Sequence, residues 1–354
     1  MSERDAMPDT SLPRVVTFGE IMLRLSTPGF ERFVQAASFH ATYGGGEANV
    51  AASLAQFGID AAFVSRVPEH EIGQAAINHL RRFGVDTSLV LRGGHRLGTY
   101  FLETGASQRP SAVIYDRAHS SITSLDSNAL DADAIFDGAQ WFHFTGITPA
   151  LGPGPAATTE MLAKAAKTRG LRVSCDLNFR AKLWTEDEAR AAMRPLMRHV
   201  DVCICNEEDA DRCLGVAAAN TDVSRGELDI SAYERLATRL RDEFEFDTVA
   251  ITLRESISAT RNRWSALVAD RAAAATPHRS MVHDIHIVDR VGGGDSFAAG
   301  LIAQLIEGAP AGEAVEFAVA ASCLKHTIPG DFNHVTRAEV ERMLATGGTG
   351  RVDR

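Results

Sequence analysis

A glycine-rich turn before an apolar helix is the stretch whose residue types and spacing point most clearly to chemistry. Gly292, Gly293 and Gly294 stand directly before Asp295. Glycines let the backbone turn tightly with exposed N–H groups, and a helix N-terminus adds free N–H groups and partial positive charge. Asp295 falls in the first helical turn, where it could accept a proton from a hydroxyl. An anion site beside a base predicts phosphoryl transfer to an alcohol, although Asp also caps ordinary helices.

A second glycine-rich turn lies near the start of the chain. Gly44, Gly45 and Gly46 precede Asn49, which stands one turn into a predicted helix. Small residues let a ligand approach the backbone, and the Asn49 amide offers both a donor and an acceptor. This pattern suits a polyhydroxylated ligand, but on its own it is equally typical of an ordinary helix start.

Together the two turns resemble the motifs of the ribokinase-like (phosphofructokinase-B) carbohydrate kinases. Residues 289–300 are similar to Asp-Thr-x-Gly-Ala-Gly-Asp-x-Phe-x-x-Gly, with Arg290 for Thr and Gly293 for Ala, and residues 44–49 are similar to Gly-Gly-x-x-x-Asn. The resemblance spans residues 14–345. It implies Asp295 as the base, the 292–294 amides as the anion hole, and Gly44, Gly45 and Asn49 as sugar ligands. Alanine at 293 is expected to be tolerated, because the family usually carries it.

Further segments resemble the branch of this family that acts on 2-keto-3-deoxygluconate. They are residues 98–101, 109–111, 113–117, 176–180, 182–184 and 252–256. The resemblance implies that the acid sugar is contacted by Tyr100, Tyr115, Arg117 and Arg180. Arginine is well suited to a carboxylate. Arg24, where neutral-sugar members carry Asp, would suit an acid substrate too. The alternatives are a solvated Arg117 on the lid and a structural pair of Arg180 with Asp176.

The same resemblance predicts which residues bind the nucleotide and its metal ion. Residues 206–209 are similar to the family's Asn-x-x-Glu motif, which orients Mg²⁺ and phosphate through water, with Asp209 in place of Glu and Glu207 or Glu208 able to share its role. ATP contacts are expected from Asn206, Thr252, Arg254, Gly292 and Gly294. Mg²⁺ is assigned to Asp209 and Glu208. Asp289 matches an Asp that holds a monovalent cation such as K⁺ in some members, and Arg290 beside it leaves open whether an ion binds.

The pattern of strands and helices predicts an α/β fold, a ribokinase-like three-layer sandwich with a mostly parallel central sheet. Strands are expected at 14–19, 61–67, 141–145, 172–176, 202–205 and 248–253. Helices are expected at 47–57, 71–83, 156–168, 186–197, 233–244, 295–307 and 312–326. Two segments, about 21–43 and 96–119, break the alternation and are predicted to form a small β lid over the carboxyl edge of the sheet, where such sheets bind ligands. Residues 1–13 are expected to be disordered and 346–354 flexible.

Composition narrows the function class. The 354 residues are 45% hydrophobic and carry a net charge of −10. The chain therefore lacks the surplus of basic residues that a nucleic-acid-binding protein needs. No apolar run approaches the roughly 18 residues of a membrane helix. The odd set of five cysteines predicts buried reduced thiols and a cytoplasmic location. The thin lid strands need their apolar face covered, which favours a homodimer through the lid.

The sequence therefore predicts an ATP- and Mg²⁺-dependent kinase of the terminal hydroxymethyl of 2-keto-3-deoxygluconate or a related sugar acid. Two alternatives stay open: a fructokinase or other neutral-sugar kinase, and a non-catalytic sugar sensor. A dinucleotide oxidoreductase is excluded, because Gly-x-Gly-x-x-Gly does not follow the first strand.

Overall fold

A large twisted sheet forms the centre of the protein, seen here in a computed structural model that describes residues 12–218, 229–272 and 276–348. Within those residues the sheet has ten strands, in the order β13-β12-β11-β10-β9-β8-β1-β4-β5, with β14 paired to β12. Its strands are β1 Arg14–Phe18, β4 Asp60–Val67, β5 Val90–Arg92, β8 Ala139–Thr145, β9 Arg172–Asp176, β10 Val202–Cys205, β11 Thr248–Ser258, β12 Arg261–Asp270, β13 His278–Arg279 and β14 His283–His286. Along the order β11-β10-β9-β8-β1-β4-β5, each strand is parallel to the next, which confirms the mostly parallel sheet.

Helices cover both faces of the sheet and complete the three layers. They are α1 Gly46–Gln56, α2 Glu71–Arg81, α3 Ala132–Ile135, α4 Pro153–Thr168, α5 Glu186–Leu196, α6 Glu207–Leu214, α7 Ile230–Glu243, α8 Gly293–Ile306, α9 Ala311–Lys325 and α10 Arg337–Thr346. Alternate strand residues point to opposite faces: Val15 packs in the core that contains α1, α8 and α9, whereas Val16 packs in the core that contains α4, α5 and α7. No helix in the described ranges is long and apolar enough to cross a bilayer.

A separate four-stranded sheet forms the lid. Its order is β3-β2-β6-β7, and its strands are β2 Met22–Ser26, β3 His40–Gly44, β6 Thr99–Glu103 and β7 Ala112–Asp116. This smaller separate sheet confirms the second sheet predicted from the sequence, and its strands come from the two segments, about 21–43 and 96–119, that break the alternation. Its buried apolar core is small, consisting of Met22, Tyr100 and Leu102. Val291, beside the glycine turn, packs against this core, so the lid rests on the main domain.

The sequence pattern failed at one end of the central sheet. The antiparallel strands β12 to β14 were not predicted, because their residues mix polar and apolar types and their pairing with β11 is a tertiary feature. The termini expected to be disordered or flexible lie mostly outside the described residues, and the described part of the C-terminus continues as α10 to Thr346. All five cysteines are buried and free.

Candidate active site

A cavity of about 620 Å³ lies between the lid and the carboxyl ends of the parallel strands. This is where open α/β sheets bind ligands, and the volume is that of a small-molecule site. Its walls come from the starts of α1, α6 and α8, the ends of β9 to β11, and the lid. The cavity is lined by most of the residues singled out in the sequence: Gly45, Asn49, Tyr100, Tyr115, Arg117, Arg180, Asn206, Glu208, Asp209, Thr252, Arg254, Gly292, Gly294 and Asp295.

The glycine turn before α8 has the shape of an anion site. Gly292 is left-handed (φ 81°), and a Cβ there would stand 2.0 Å from the Asp331 carbonyl oxygen. The amides of Gly292, Gly294 and Asp295 donate to no acceptor in the described part of the chain. The Gly293 amide, which was expected to join them, instead donates to the Arg290 carbonyl (3.3 Å), because the turn closes on itself there. The donors left free in this turn are therefore the amides of Gly292, Gly294 and Asp295.

Asp295 has the surroundings of a general base. Its Oδ2 accepts a hydrogen bond from Asn49 Nδ2 at 2.6 Å, and Asn49 Oδ1 in turn accepts from the Gly45 amide at 3.2 Å. Desolvation raises the pKa of Asp295 to about 6, while the bond from Asn49 and the charges of Arg180 and Lys325 act in the opposite direction. A carboxylate with such a pKa is ionised at neutral pH and still accepts a proton well.

In the glycine turn before α1, the space that side chains would need is occupied by neighbouring residues. A Cβ at Gly44 would stand 2.0 Å from Asp331 Oδ2, and one at Gly45 would stand 1.9 Å from the Glu20 carbonyl oxygen. Gly45 lines the cavity, but Gly44 lies behind it against Asp331. Asp331 also lines the cavity and was missed in the sequence, because it lies in an irregular segment after α9 with no motif to mark it.

The lid contributes aromatic rings and one arginine. The hydroxyl of buried Tyr100 donates to Asp331 Oδ2 at 2.5 Å, and its ring lies 5.9 Å from that of Tyr115. Arg117 stacks over Tyr115 and is ion-paired with the buried carboxylate of Glu20. Arg117 is therefore not a solvated surface residue, and its Nη1 donates to no acceptor within the described ranges.

Arg180 differs from Arg117, because no carboxylate lies within 4 Å of its guanidinium in the described structure. Within the described residues, its guanidinium donates through Nη1 to the Phe179 carbonyl (2.9 Å). The structural pair with Asp176 is therefore absent from the described structure. Asp176 is half-buried in the cavity wall, and burial, then the charges of Asp209 and Asp295, raises its pKa well above the usual range. Arg180 thus brings to this wall of the cavity a guanidinium without a direct ion pair in the described structure, although its charge acts on Asp176, Asp209 and Asp295 from farther away.

Two more arginines without carboxylate partners in the described structure face the other end of the cavity. Arg254 is exposed, and among the described residues Arg290 donates only to the Ala259 carbonyl (2.9 Å). Burial, then the charge of Arg254, lowers the pKa of Arg290. Two neighbouring guanidinium groups that repel each other fit a polyanion. Arg290, noted in the sequence only as a departure from the motif, is thus a further candidate phosphate ligand.

The start of α6 supplies carboxylates to the same end. The Asn206 side chain caps the helix by accepting from the Asp209 amide at 2.8 Å. Burial raises the pKa of Asp209 to about 6. Glu208 is exposed and paired with Arg212, whereas Glu207 is half-buried toward the cavity. No three-ligand metal cluster occurs among the residues described. These carboxylates fit a hydrated Mg²⁺ that is held mainly by nucleotide phosphates.

Arg24 does not reach the cavity as the sequence led us to expect. Its guanidinium is buried between Asp289 (Nη2–Oδ2, 2.5 Å) and Asp331 (Nη1–Oδ1, 2.6 Å). Two ion pairs occupy it, so Arg24 is not free to hold a substrate carboxylate.

Comparisons with known proteins agree with this geometry. A sequence model of the pfkB family of carbohydrate kinases matches residues 12–335. The 2-dehydro-3-deoxygalactonokinase of Haloferax volcanii is 35% identical over 340 residues, which cover 96% of this chain and 99% of that protein. The 2-dehydro-3-deoxygluconokinase of Bacillus subtilis is 25% identical, with 94% and 96% covered. The crystal structure of the Thermotoga maritima 2-dehydro-3-deoxygluconokinase has a TM-score of 0.90 and 52% identity, with 95% of this chain and 99% of that one covered.

Replacing Gly293 by Ala should destabilise the fold, contrary to the expectation from the resemblance. The new methyl would stand 2.3 Å from Cε1 of His326. That ring is buried, held by a bond from Nδ1 to the Ser322 carbonyl (2.7 Å), and packed on Trp264. Overpacking of this kind costs about 1–3 kcal/mol of unfolding free energy, measurable by urea denaturation.

Gly294→Ala is the matched control, because nothing lies within 4 Å of its Cβ position. Combining Gly293→Ala with His326→Ala should cost less than the sum of the single changes. Wild-type stability for Gly293→Ala alone would show that His326 moves aside freely.

Proposed function

This chain belongs to the pfkB family of carbohydrate kinases, and we propose that it transfers the terminal phosphoryl group of ATP to the terminal hydroxymethyl group of 2-keto-3-deoxygluconate or a closely related sugar acid. The observation that carries this proposal is the placement of Arg180 and Asp295 in one cavity, the first without a carboxylate partner in the described structure and the second a desolvated base. The names of the relatives support the same substrate class.

Charge decides the choice between an acid and a neutral sugar. The half-buried guanidinium of Arg180 has no carboxylate within ion-pair distance in the described structure, so its planar fork is free to bind a ligand carboxylate. Arg180 lies close enough to lower the pKa values of both Asp209 and Asp295. A sugar carboxylate beside Arg180, with Arg117 Nη1 and the Tyr115 ring on the lid side, would place the far end of the sugar toward Asp295. A neutral sugar would leave Arg180 without a direct ion pair.

The chemistry then follows from groups already in position. Asp295 takes the proton of the attacking hydroxyl, which Asn49 and Asp295 orient together. The free amides at the start of α8 stabilise negative charge on the transferred group. Arg254 and Arg290 hold the remaining phosphates of ATP. Mg²⁺, when bound, would neutralise phosphate charge, and Asp209 and Glu207 would orient its water ligands. The lid keeps bulk water from the phosphoryl group.

A coupled kinase assay with acid and neutral sugars tests the proposal. The acids are 2-keto-3-deoxygluconate and 2-keto-3-deoxygalactonate, and the neutral sugars are fructose and ribose. We expect the highest kcat/KM for an acid. Preference for fructose or ribose would overturn the acid-sugar assignment. Binding of sugar without turnover of any of the four would instead point to a sensor.

Asp295→Asn should abolish most turnover and leave binding nearly intact. The amide has the size of the carboxylate and keeps contact with Asn49, but it cannot accept the hydroxyl proton. General-base loss lowers kcat roughly 10²–10⁴-fold, while isothermal titration should still detect sugar and nucleotide. A near-normal kcat would remove Asp295 from the role of base.

Arg180→Ala should raise the KM for the sugar acid far more than the KM for ATP. A charge-assisted hydrogen bond to a desolvated carboxylate is worth on the order of 1.5–3 kcal/mol. Arg180→Lys, which keeps the charge and loses the planar fork, should fall between. Arg117→Ala should raise the same KM and also lower stability, because Glu20 loses its partner. Equal losses for both substrates would assign Arg180 a structural role.

We also propose a cytoplasmic homodimer joined through the lid. Free buried cysteines and the use of ATP suit the cytoplasm. The lid segments carry apolar side chains that are exposed in the single chain, namely Phe30, Val34, Phe39 and Ile114. Val34 is 94% exposed. A second copy of the chain would cover these groups, and closed twofold pairing is the commonest way to do so.

Light scattering should give the mass of a dimer for the wild-type protein and of a monomer for Val34→Glu, since a charge in an apolar interface opposes association. Ile72→Glu is the matched control, because Ile72 is an exposed apolar residue on α2, outside the lid. A monomeric wild-type protein, or equal effects of both changes, would contradict the lid interface.

A further inference from the structure

Two buried cations lie beneath the glycine turn of α8. Arg24 on β2 is 3% exposed and Lys325 at the end of α9 is fully buried. The Lys325 ammonium donates to the carbonyl oxygens of Gly330 (2.7 Å) and Ile328 (3.4 Å). A Cβ on Gly292 would stand 3.2 Å from Lys325 Cε. Lys and Arg are almost never fully buried without a partner, so these two side chains are specific features of this site.

Arg24 and Lys325 lie in a cluster with two carboxylates, Asp289 and Asp331, and the four charges sum to zero. Arg24 pairs with both Asp289 and Asp331, and the charges of the same two carboxylates raise the pKa of Lys325 against the larger lowering by burial. The hydroxyl of Tyr100 completes the contacts of Asp331. Two cations therefore face two carboxylates. A buried cluster in this balance gains nothing from a further positive ion, whereas removal of either cation leaves a buried carboxylate uncompensated.

The oxygen atoms that a monovalent cation would need are already used. Asp289 Oδ2 accepts from Arg24 and from the Gly330 amide (3.0 Å), and Asp289 Oδ1 accepts from the Val291 amide (3.0 Å). The nearby carbonyl oxygens of Gly330 and Ile328 face the Lys325 ammonium. K⁺ in proteins replaces its hydration shell with such oxygens. The residues around Asp289 therefore do not fit the ion that the resemblance left open.

We propose that Arg24 and Lys325 are built-in cations that hold the glycine turn in place, and that this kinase works without a monovalent cation. The inference rests on the proposed function only for its activity readout. Asp289 binds the Val291 amide at the start of the turn, and the Asp331 carbonyl packs against Gly292. Arg24 ties these two aspartates together. Arg24 and Lys325 are positioning residues, because neither lines the cavity.

The test compares KCl with tetramethylammonium chloride at constant ionic strength. Wild-type kcat, and the thermal-unfolding midpoint of the ligand-free protein, should be the same in both salts. Stimulation of wild-type kcat in KCl over tetramethylammonium chloride would overturn the proposal. A midpoint that rises in KCl alone would also overturn it. If no sugar acid is phosphorylated in either salt, the proposed function fails, and the midpoints still decide the cation question.

Arg24→Ala should lower kcat and the midpoint, because Asp289 and Asp331 lose their counter-ion. K⁺ should then raise the midpoint of this variant, and added guanidinium ion should restore part of its kcat. Arg169→Ala is the matched control, since Arg169 pairs with exposed Asp133 on the surface, and it should show neither response. Equal behaviour of the two variants would overturn the positioning role. Should Arg24→Ala not fold, the wild-type comparison of the two salts decides alone.

Discussion

The hydrogen bond from Asn49 to Asp295 joins the two glycine-rich turns, and the geometry of the site depends on it. Asn49 comes from α1 and Asp295 from α8, 246 residues apart in the chain. The bond from Asn49 Nδ2 fixes the carboxylate that would accept the proton, and Asn49 Oδ1 accepts a hydrogen bond from the Gly45 amide. Burial makes Asp295 a better base, but burial without this partner would leave the charge poorly compensated. The close contact of α1 with α8 thus links the fold to the chemistry.

The arginines of the site divide by whether they already have carboxylate partners. Arg24 and Arg117 are paired inside the protein, with Asp289 and Asp331 and with Glu20. Arg180 and Arg254 have no carboxylate within 4 Å among the residues described, so their charge is available to a ligand. Arg24 supports the site from behind the cavity, and Arg117 lines it with one nitrogen left for the sugar. The second group marks where a carboxylate and a polyphosphate would bind. The composition shows only the total of arginines and cannot separate these roles.

How far the sequence predicted the structure depends on the range of the contacts. The parallel sheet, the lid and the two glycine turns follow from local periodicity and from motifs, and the structure confirms them. Contacts between distant segments were not readable. The pairing of Arg24 with Asp331 spans 307 residues, and the crowding of Gly293 by His326 comes from packing of α9 on α8. The sequence also could not show that the Gly293 amide is used within the turn.

The pH dependence of kcat/KM for the sugar tests the central claim most directly. Because Asp295 must be ionised to act as a base, kcat/KM should fall as the pH drops through about 6, the pKa that desolvation gives this group. Asn49→Ala should move that limb to higher pH. The hydrogen bond from Asn49 stabilises the ionised carboxylate and lowers the pKa of Asp295, so its loss raises that pKa. Asp209→Asn should leave the limb in place, although Asp209 titrates in the same range. A flat profile, or a limb that Asn49→Ala does not move, would contradict the account.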